Sequence, residues 1–238
     1  MPSGAAGRRM DRSLSAWDDN VWVAQAPLRF YGIPFGTRMT VVRLQSGALW
    51  LHSPIRIDAA LERALRELGE VRFVVSPNKL HHLYLADAQA AFPEAELYAP
   101  PGLSRKRPKL RFEGELSDTP RAGWADEIDQ LVMRGSPVME EVVFLHRASR
   151  TLIVGDLCMY FGPESPWLTR LVARAGGMYD RPRVPPDWQW TFRRRAATRR
   201  SFERLLSWDF ERVILAHGQL IEDGARDVFR RSYAWALK

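Results

Sequence analysis

Residues 71–82 read VRFVVSPNKLHH, a short apolar run followed by a proline, an amide, a lysine and two histidines. Two other apolar runs also lead into a polar residue. TLIV at 151–154 leads, after a glycine, into Asp156, and RVILA at 212–216 leads into His217. Runs of this length and aliphatic character are typical of buried strands. Because polar groups at the carboxyl ends of strands converge on one crevice in layered α/β folds, we expect these three strand ends to lie together.

Length and composition favour an ordinary globular protein. The 238 residues are enough for a large domain with a substantial core. No apolar stretch approaches the roughly 20 residues that span a bilayer, and the N-terminus lacks the apolar segment of a signal peptide. We therefore expect a cytoplasmic protein, with a mobile tail over residues 1–18 and a single domain over residues 19–238. The lone cysteine, Cys158, excludes an internal disulfide and is expected to be a small buried thiol.

The remaining pattern predicts two strand-rich halves, each carrying helices. Strand-like runs near the N-terminus are followed by an amphipathic run at 59–68, with Asp58 as its N-cap and Gly69 as its stop. We predict further strands at 96–99, 128–133 and 141–145, and further helices at 82–92, 196–208 and 225–237. Such an order predicts an α/β fold in which two sheets pack face to face with helices outside.

The net charge is +7, and arginine supplies most of the positive residues. Many of these arginines lie between residues 174 and 200. They lie in or beside an aromatic segment at about 160–195, whose apolar residues show no clear helix or strand periodicity. An arginine-rich surface of the ordinary kind is the simpler interpretation. The alternatives are an anionic or aromatic substrate, bound by stacking and cation–π contacts, and a weak contact with nucleic acid.

The order of the strands and their polar ends resembles the metallo-β-lactamase superfamily. It is most similar to a little-characterised branch with a Pro-Asn-x-x-His-His pattern, which here is residues 77–82. The resemblance covers about residues 20–235 and implies a four-layer αββα sandwich with a metal site at one edge of the two sheets. In that superfamily the usual signature is H-x-H-x-D-H, followed by a histidine in a Gly-His-Thr-like turn, a bridging aspartate and a C-terminal histidine.

On this chain the resemblance implies a degenerate metal motif. The positions of the superfamily's first metal site fall on Pro77, Lys79 and Ser136, so its three histidines are lost. The positions of the second site are kept, with a histidine in place of the first aspartate, and they fall on His81, His82, Asp156 and His217. The resemblance therefore implies a single divalent metal ion. Three imidazoles and one carboxylate suit Zn²⁺, and Fe²⁺ or Mn²⁺ is an alternative because nitrogen and oxygen ligands do not decide the metal.

Two adjacent histidines pose a geometric problem, because neighbouring side chains of an extended segment point to opposite faces. His81 and His82 can bind one ion only if the chain turns there. Without such a turn, His82 is the ligand that we expect. Asn78 is predicted to hydrogen-bond the metal-bound water or a substrate oxygen, and Lys79 to bind a substrate carboxylate.

A metal ion with an open position lowers the pKa of bound water toward about 7. We therefore predict a metal-dependent hydrolase-like protein that uses one metal-bound water on a small molecule, an anionic substrate being one candidate. A catalytically silent binding or scaffold protein with the same fold is the alternative, and nucleic acid is a less favoured partner. The sequence contains no motif for a nucleotide cradle and no nucleophile elbow.

Overall fold

The computed structural model describes residues 13–238. These residues form thirteen strands and seven helices. The strands are β1 (Ser15–Asp18), β2 (Val21–Ala26), β3 (Arg29–Phe30), β4 (Ile33–Pro34), β5 (Thr37–Arg43), β6 (Ala48–His52), β7 (Glu70–Val75), β8 (Glu96–Ala99), β9 (Gly114–Glu115), β10 (Ile128–Met133), β11 (Glu141–His146), β12 (Thr151–Val154) and β13 (Arg212–Leu215). The helices are α1 (Ala59–Leu68), α2 (Leu85–Ala91), α3 (Leu103–Lys106), α4 (Trp167–Ala175), α5 (Pro186–Gln189), α6 (Arg195–Ser207) and α7 (Ala225–Ser232), followed by a 3₁₀ turn at Ala234–Ala236.

Two sheets form the centre of the fold. The first has the order β1-β2-β5-β6-β7-β8-β9, and the second has the order β10-β11-β12-β13. The first sheet begins as an antiparallel meander and becomes parallel from β6 onward. In the second sheet only β12 and β13 are parallel. The strands that end in the predicted functional residues, β7, β12 and β13, therefore each have a parallel neighbour.

Alternate residues of the strands face two different apolar layers, which explains why the strands are apolar throughout. On β6, Leu49 and Leu51 face the helices over the first sheet, whereas Trp50 points between the sheets. On β11, Leu145 faces the helices over the second sheet and Phe144 points between the sheets. Because successive side chains of a strand point to opposite faces, a strand covered on both sides needs apolar residues at every position.

Helices cover the outer face of each sheet, so the architecture is the expected four-layer αββα sandwich. Helix α1 covers the first sheet with Leu61 and Leu65, and its N-terminus is capped by Asp58, which accepts a hydrogen bond from the Leu61 N–H at 3.0 Å. Helix α6 covers the second sheet with Phe202 and Leu205. Burial of each such side chain contributes about 1.5–3 kcal/mol to stability.

The sequence patterns placed most elements correctly and a few of their ends incorrectly. The helix predicted at 82–92 begins only at Leu85, because residues 81–84 form turns. Residues 15–18, expected in the N-terminal tail, form edge strand β1, while residues 1–12 lie outside the described part of the chain. The thiol of Cys158 is buried as predicted, and burial raises its pKa to about 12.

The aromatic segment at about 160–195 packs on a small core of its own. Met159, Phe161, Ala173 and Met178 form this core, and Phe35, Tyr179 and Trp188 pack against it. Phe35 follows the hairpin formed by β3 and β4, so the segment and the hairpin support each other. Across residues 13–238, no helix combines the length and the apolar character needed to cross a membrane.

His52, at the end of β6, is a buried polar residue between the sheets. Its ring lies 5.8 Å from that of Trp50 and 5.6 Å from that of Phe144, measured between centroids. Within the described residues its Nε2 atom is buried without a hydrogen-bond partner. Burial, together with the smaller effect of the His81 charge, lowers the pKa of His52 to about 3.

We predict that acid destabilises the fold partly through His52. Above its ordinary pKa of 6.5 the imidazole is neutral in both states. As the pH falls below this value, the unfolded chain binds a proton that the folded protein binds only near pH 3, so stability is lost. From about pH 7.5 to about pH 5 this loss is ~2 kcal/mol. Urea unfolding at the two pH values should show that His52→Phe loses ~2 kcal/mol less than the parent protein. An equal loss in both proteins would contradict the prediction.

Candidate metal centre

The predicted functional residues lie at one edge of the sandwich, where strands of both sheets end. Residues 76–82 follow β7 in the first sheet, whereas Asp156 and His217 follow β12 and β13 in the second. Glycine precedes Asp156 and follows His217, and it lets the chain turn away after β12 and after β13. The convergence that the three apolar runs predicted is therefore present.

Three side chains meet at this edge: His81, Asp156 and His217. The Nε2 atom of His81 lies 3.2 Å from Oδ2 of Asp156, and the Nε2 atom of His217 lies 3.2 Å from Oδ1. One ligand atom from each residue lies within 4.8 Å of the other two. All three side chains are largely buried, so their interactions are only weakly screened by water. We call this group the His-Asp-His trio.

The outer nitrogen of each imidazole is also held by the protein. Nδ1 of His217 lies 2.6 Å from the carbonyl oxygen of Gly36, just before β5. Nδ1 of His81 pairs with the hydroxyl of Ser53, which follows β6. A carbonyl oxygen only accepts hydrogen bonds, so Nδ1 of His217 carries a proton. In the neutral imidazole, Nε2 of His217 then presents a lone pair to the Asp156 carboxylate, and only a proton or a metal ion between them makes this contact favourable.

Glu141, the first residue of β11, lies beneath Asp156 and was missed by the sequence analysis. It is fully buried. Its carboxylate accepts hydrogen bonds from the backbone N–H groups of Gly155, Asp156 and Leu157 at 2.6–3.2 Å. These donors suit an ionised carboxylate, whereas burial and the charge of Asp156 raise the pKa of Glu141 to about 7. A glutamate at the start of a strand is usually exposed, so the sequence gives no signal for this role.

Charges within the trio shift the pKa values of its members. Burial alone would raise the pKa of Asp156, but the charge of His81 and the hydrogen bonds from His217 and His81 lower it well below its ordinary value. Burial opposes protonation of His81, but the charge of Asp156 and its hydrogen bond outweigh this effect and raise the His81 pKa. Asp156 is therefore an anion at neutral pH and attracts cations.

Asn78 has a different role from the predicted one. It is 2% exposed, and its Nδ2 atom donates to Oε2 of Glu141 at 2.8 Å and to Oδ2 of Asp156 at 2.9 Å. Its Oδ1 atom accepts hydrogen bonds from the backbone N–H groups of Leu80 and His81. With these bonds both donors of the amide are used. Asn78 is thus a positioning residue that orients Asp156 and the turn carrying His81, and it does not face a water or substrate.

Lys79 and His82 also depart from expectation. The ammonium end of Lys79 lies beside Gly102, outside the cavity next to the trio, whereas Lys106 lines that cavity. His82 lines the cavity as well but is not part of the trio. Because the turns at residues 81–84 direct the two neighbouring imidazoles differently, His81 and not His82 faces Asp156.

Ser136, which the resemblance aligned with the superfamily's turn histidine, has a structural role. Its hydroxyl pairs with that of Thr191 at 2.6 Å and accepts hydrogen bonds from the backbone N–H groups of Val138 and Met139. It lies outside the cavity that contains the trio. The residues of the first-site positions therefore form no second ligand cluster within residues 13–238.

Arg38 on β5 connects the two sheets next to His217. Arg38 is 4% exposed, and its guanidinium donates to the carbonyl oxygen of Leu215 and, at 2.7 Å, to that of Gly218. Burial lowers its pKa to about 10, so Arg38 stays charged at neutral pH. The backbone on both sides of His217 is thus held by the opposite sheet.

The trio opens into a cavity of about 640 Å³. The hairpin of β3 and β4 and the aromatic segment at about 160–195 both line this cavity. The loop after β7 completes the rim with Leu80, His82 and Leu83. This volume falls within the range of about 300–1,000 Å³ that is usual for small-molecule sites.

The sequence of this chain matches one protein family. A family model described as a domain of unknown function (DUF4336) matches residues 18–185. A search of curated protein sequences finds no match.

Solved structures similar to this chain are metallo-β-lactamases. A structure of the metallo-β-lactamase DIM-1 superposes with a TM-score of 0.64 at 16% identity, over 94% of this chain and 97% of that one. VMB-1 gives a TM-score of 0.66 at 13% identity, over 96% and 97%. The metallo-β-lactamase FIM-1 from Pseudomonas aeruginosa, in its mono-zinc form, gives 0.61 at 12% identity, over 94% of each chain. The chain therefore has the metallo-β-lactamase fold that its motifs indicated.

We predict that the turn after His217 requires glycine. Gly218 has a φ of +83°, and a Cβ atom there would lie 1.8 Å from the carbonyl oxygen of Tyr160. Gly224 also has a positive φ, +55°, but a Cβ atom there would meet nothing within 4 Å. Gly224→Ala should cost ~1 kcal/mol from backbone strain alone, and Gly218→Ala ~3 kcal/mol or more.

Denaturant unfolding of the two variants provides the measurement, with Gly224→Ala as the matched control. Because the backbone must move at Gly218, the variant there should also displace His217. Equal destabilisation by the two substitutions would show that the contact with Tyr160 does not constrain this turn.

Proposed function

Because the chain belongs to the family described as a domain of unknown function (DUF4336) and has the metallo-β-lactamase fold, we propose that it is a metal-dependent hydrolase-like protein that uses one divalent metal ion. The ion is held by His81, Asp156 and His217. The observation that carries the proposal is the contact between Nε2 of His217 and Asp156, which is favourable only with a proton or a metal ion between the two atoms because Nδ1 already donates to Gly36.

The donor atoms of the trio fit such an ion. Two imidazole nitrogens and a carboxylate oxygen are ligands that zinc takes in catalytic sites, and Fe²⁺ or Mn²⁺ accepts the same set. Histidine ligands of metals usually donate their other N–H to a carbonyl or carboxylate, as His217 does to Gly36. A single ion is favoured because Pro77, Lys79 and Ser136 occupy the first-site positions. The similar FIM-1 structure is itself a mono-zinc form.

Three protein ligands leave a position open toward the cavity. A divalent metal held there would supply Lewis acidity and bring the pKa of water toward about 7. The protein's own residues orient the ligands. Ser53 and Gly36 hold the outer nitrogens, while Asn78 and Glu141 fix the Asp156 carboxylate and the loop behind it. An apolar substrate that filled the cavity would exclude water from the reacting groups, which would strengthen the electrostatic interactions there.

Metal analysis of neighbouring variants tests the proposal. After removal of bound metal and reloading with zinc, the purified protein should retain about one equivalent, as a single-ion site requires. His81→Ala and His217→Ala should lose it. His82→Ala is the matched control, because it removes the neighbouring imidazole outside the trio, and it should keep the metal. Elemental analysis gives the stoichiometry, and circular dichroism confirms that each variant is folded.

Two outcomes would overturn the proposal. A folded protein that retains no zinc, iron or manganese after reloading has no such site. A protein in which His82→Ala loses the metal and His81→Ala keeps it has a different set of ligands from the trio.

The alternative is a catalytically silent binding protein that has kept the fold. The loss of the first-site histidines favours it, because the usual second ion is then missing. In that case His217→Ala should leave ligand binding unchanged and should cost the same stability with zinc as without it. A hydrolase with a resident metal should instead lose the stabilisation that the ion provides, which is ~2.7 kcal/mol at a hundredfold excess over the Kd. Thermal unfolding with and without zinc distinguishes the two.

A further inference from the structure

The cavity beside the trio is mostly apolar away from its inner end. Its apolar lining includes Ile33 and Phe35, from the hairpin of β3 and β4 and the residue that follows it, and also Met159, Met178 and Trp188. The polar groups that could react with a bound molecule are concentrated at the trio. A hydrophilic substrate would find few hydrogen-bond partners along these walls, whereas an apolar chain or ring would bury its surface against them.

The rim of the cavity is also apolar, although it faces solvent. Phe30, Tyr31, Leu80 and Leu83 line the cavity, and all four are exposed. Tyr31, at the hairpin tip, is 90% exposed. They make up half of the eight large hydrophobic side chains that are exposed in the described part of the chain. A concentration of exposed apolar residues at the mouth of a cavity is typical of a surface that binds an apolar ligand.

Positive charge accompanies this apolar rim. Lys106 lines the cavity on the side of His82 and Leu83, and its Nζ atom donates to the carbonyl oxygen of Lys79 at 2.9 Å. An ammonium group has three donors, so two remain for a ligand. Within residues 13–238 Lys106 forms no ion pair, and neither does Arg29 on the hairpin. Apart from Asp156, the one acidic residue that lines the cavity in the described part of the chain is Asp187, which precedes Trp188.

We propose that this cavity binds an amphiphilic anion, with its apolar chain or ring against the walls and its negatively charged group at Lys106. The claim that this anion is a substrate rests on the proposed function, whereas the claim that the cavity binds it does not. Lys106 takes the role that the sequence suggested for Lys79. The substrate class is thus an acyl or aryl compound with one negative charge, whose hydrolysable group reaches the trio.

A series of linear probes separates the apolar and the charged contributions. Isothermal titration calorimetry would be performed on the full chain with butane-, hexane- and octanesulfonate, with and without added zinc. Affinity should rise about fourfold for each methylene group that enters the cavity. Octanesulfonate should also bind more tightly than 1-octanol, and 1-octanol more tightly than octylammonium.

Matched variants assign the contacts. Lys106→Gln should weaken octanesulfonate about threefold and leave 1-octanol unchanged, the size expected for an exposed ion pair. Lys109→Gln, which removes an exposed lysine outside the cavity, should change neither. Leu83→Ser should weaken both ligands, whereas Val138→Ser, at another exposed apolar residue outside the cavity, should not.

The outcomes keep this proposal separate from the metal site. If octanesulfonate binds no more tightly than butanesulfonate, or if Lys109→Gln acts as strongly as Lys106→Gln, the amphiphilic anion is excluded even when zinc is bound. If the probes behave as expected and no metal is retained, the ligand class holds and the hydrolase proposal fails.

Discussion

The candidate site depends on one carboxylate held between two imidazoles. Asp156 is buried and anionic, and an isolated charge in such a place would be costly. Several neighbouring groups offset this cost. His81 and His217 approach the two oxygens, Asn78 donates to one of them, and the Glu141 carboxylate holds the backbone N–H of Asp156. Removing a member of this network leaves the others with buried polar groups that lack a partner, which costs more than the lost hydrogen bond itself.

The placement of these residues follows from the arrangement of the strands. The residues of the trio come from different sheets, because His81 follows β7 and Asp156 and His217 follow β12 and β13. The two sheets are joined by an apolar layer that includes Trp50, Phe144 and Ile153. The positions of the trio residues relative to one another therefore depend on the packing of this apolar layer. A cavity walled by apolar side chains fits the same arrangement, because the hairpin and the aromatic segment must cover the open edge of the sandwich.

Sequence alone was sufficient for the longer apolar strands and for the meeting of their polar ends, since apolar runs of this length are typical of buried strands. It was not sufficient for choosing between His81 and His82, because that choice depends on turns that the local pattern does not specify. Glu141 could not be predicted either. A carboxylate becomes a buried acceptor only through backbone N–H groups that are distant in sequence, and no local pattern reports them. The sequence also could not show that Lys106 and not Lys79 lines the cavity, since tertiary packing alone decides which ammonium group reaches it.

The bonds from Arg38 on the first sheet to the backbone on both sides of His217 have a consequence for how the site assembles. Neither half of the chain can prearrange the trio, because one half supplies His81 and Arg38 and the other supplies Asp156 and His217. Capture of the proposed ion would then be coupled to docking of the two halves, because an ion bound only by the native protein favours the docked over the separated state. Affinity for the ion would therefore report on the contact between the halves and would respond to substitutions far from the trio.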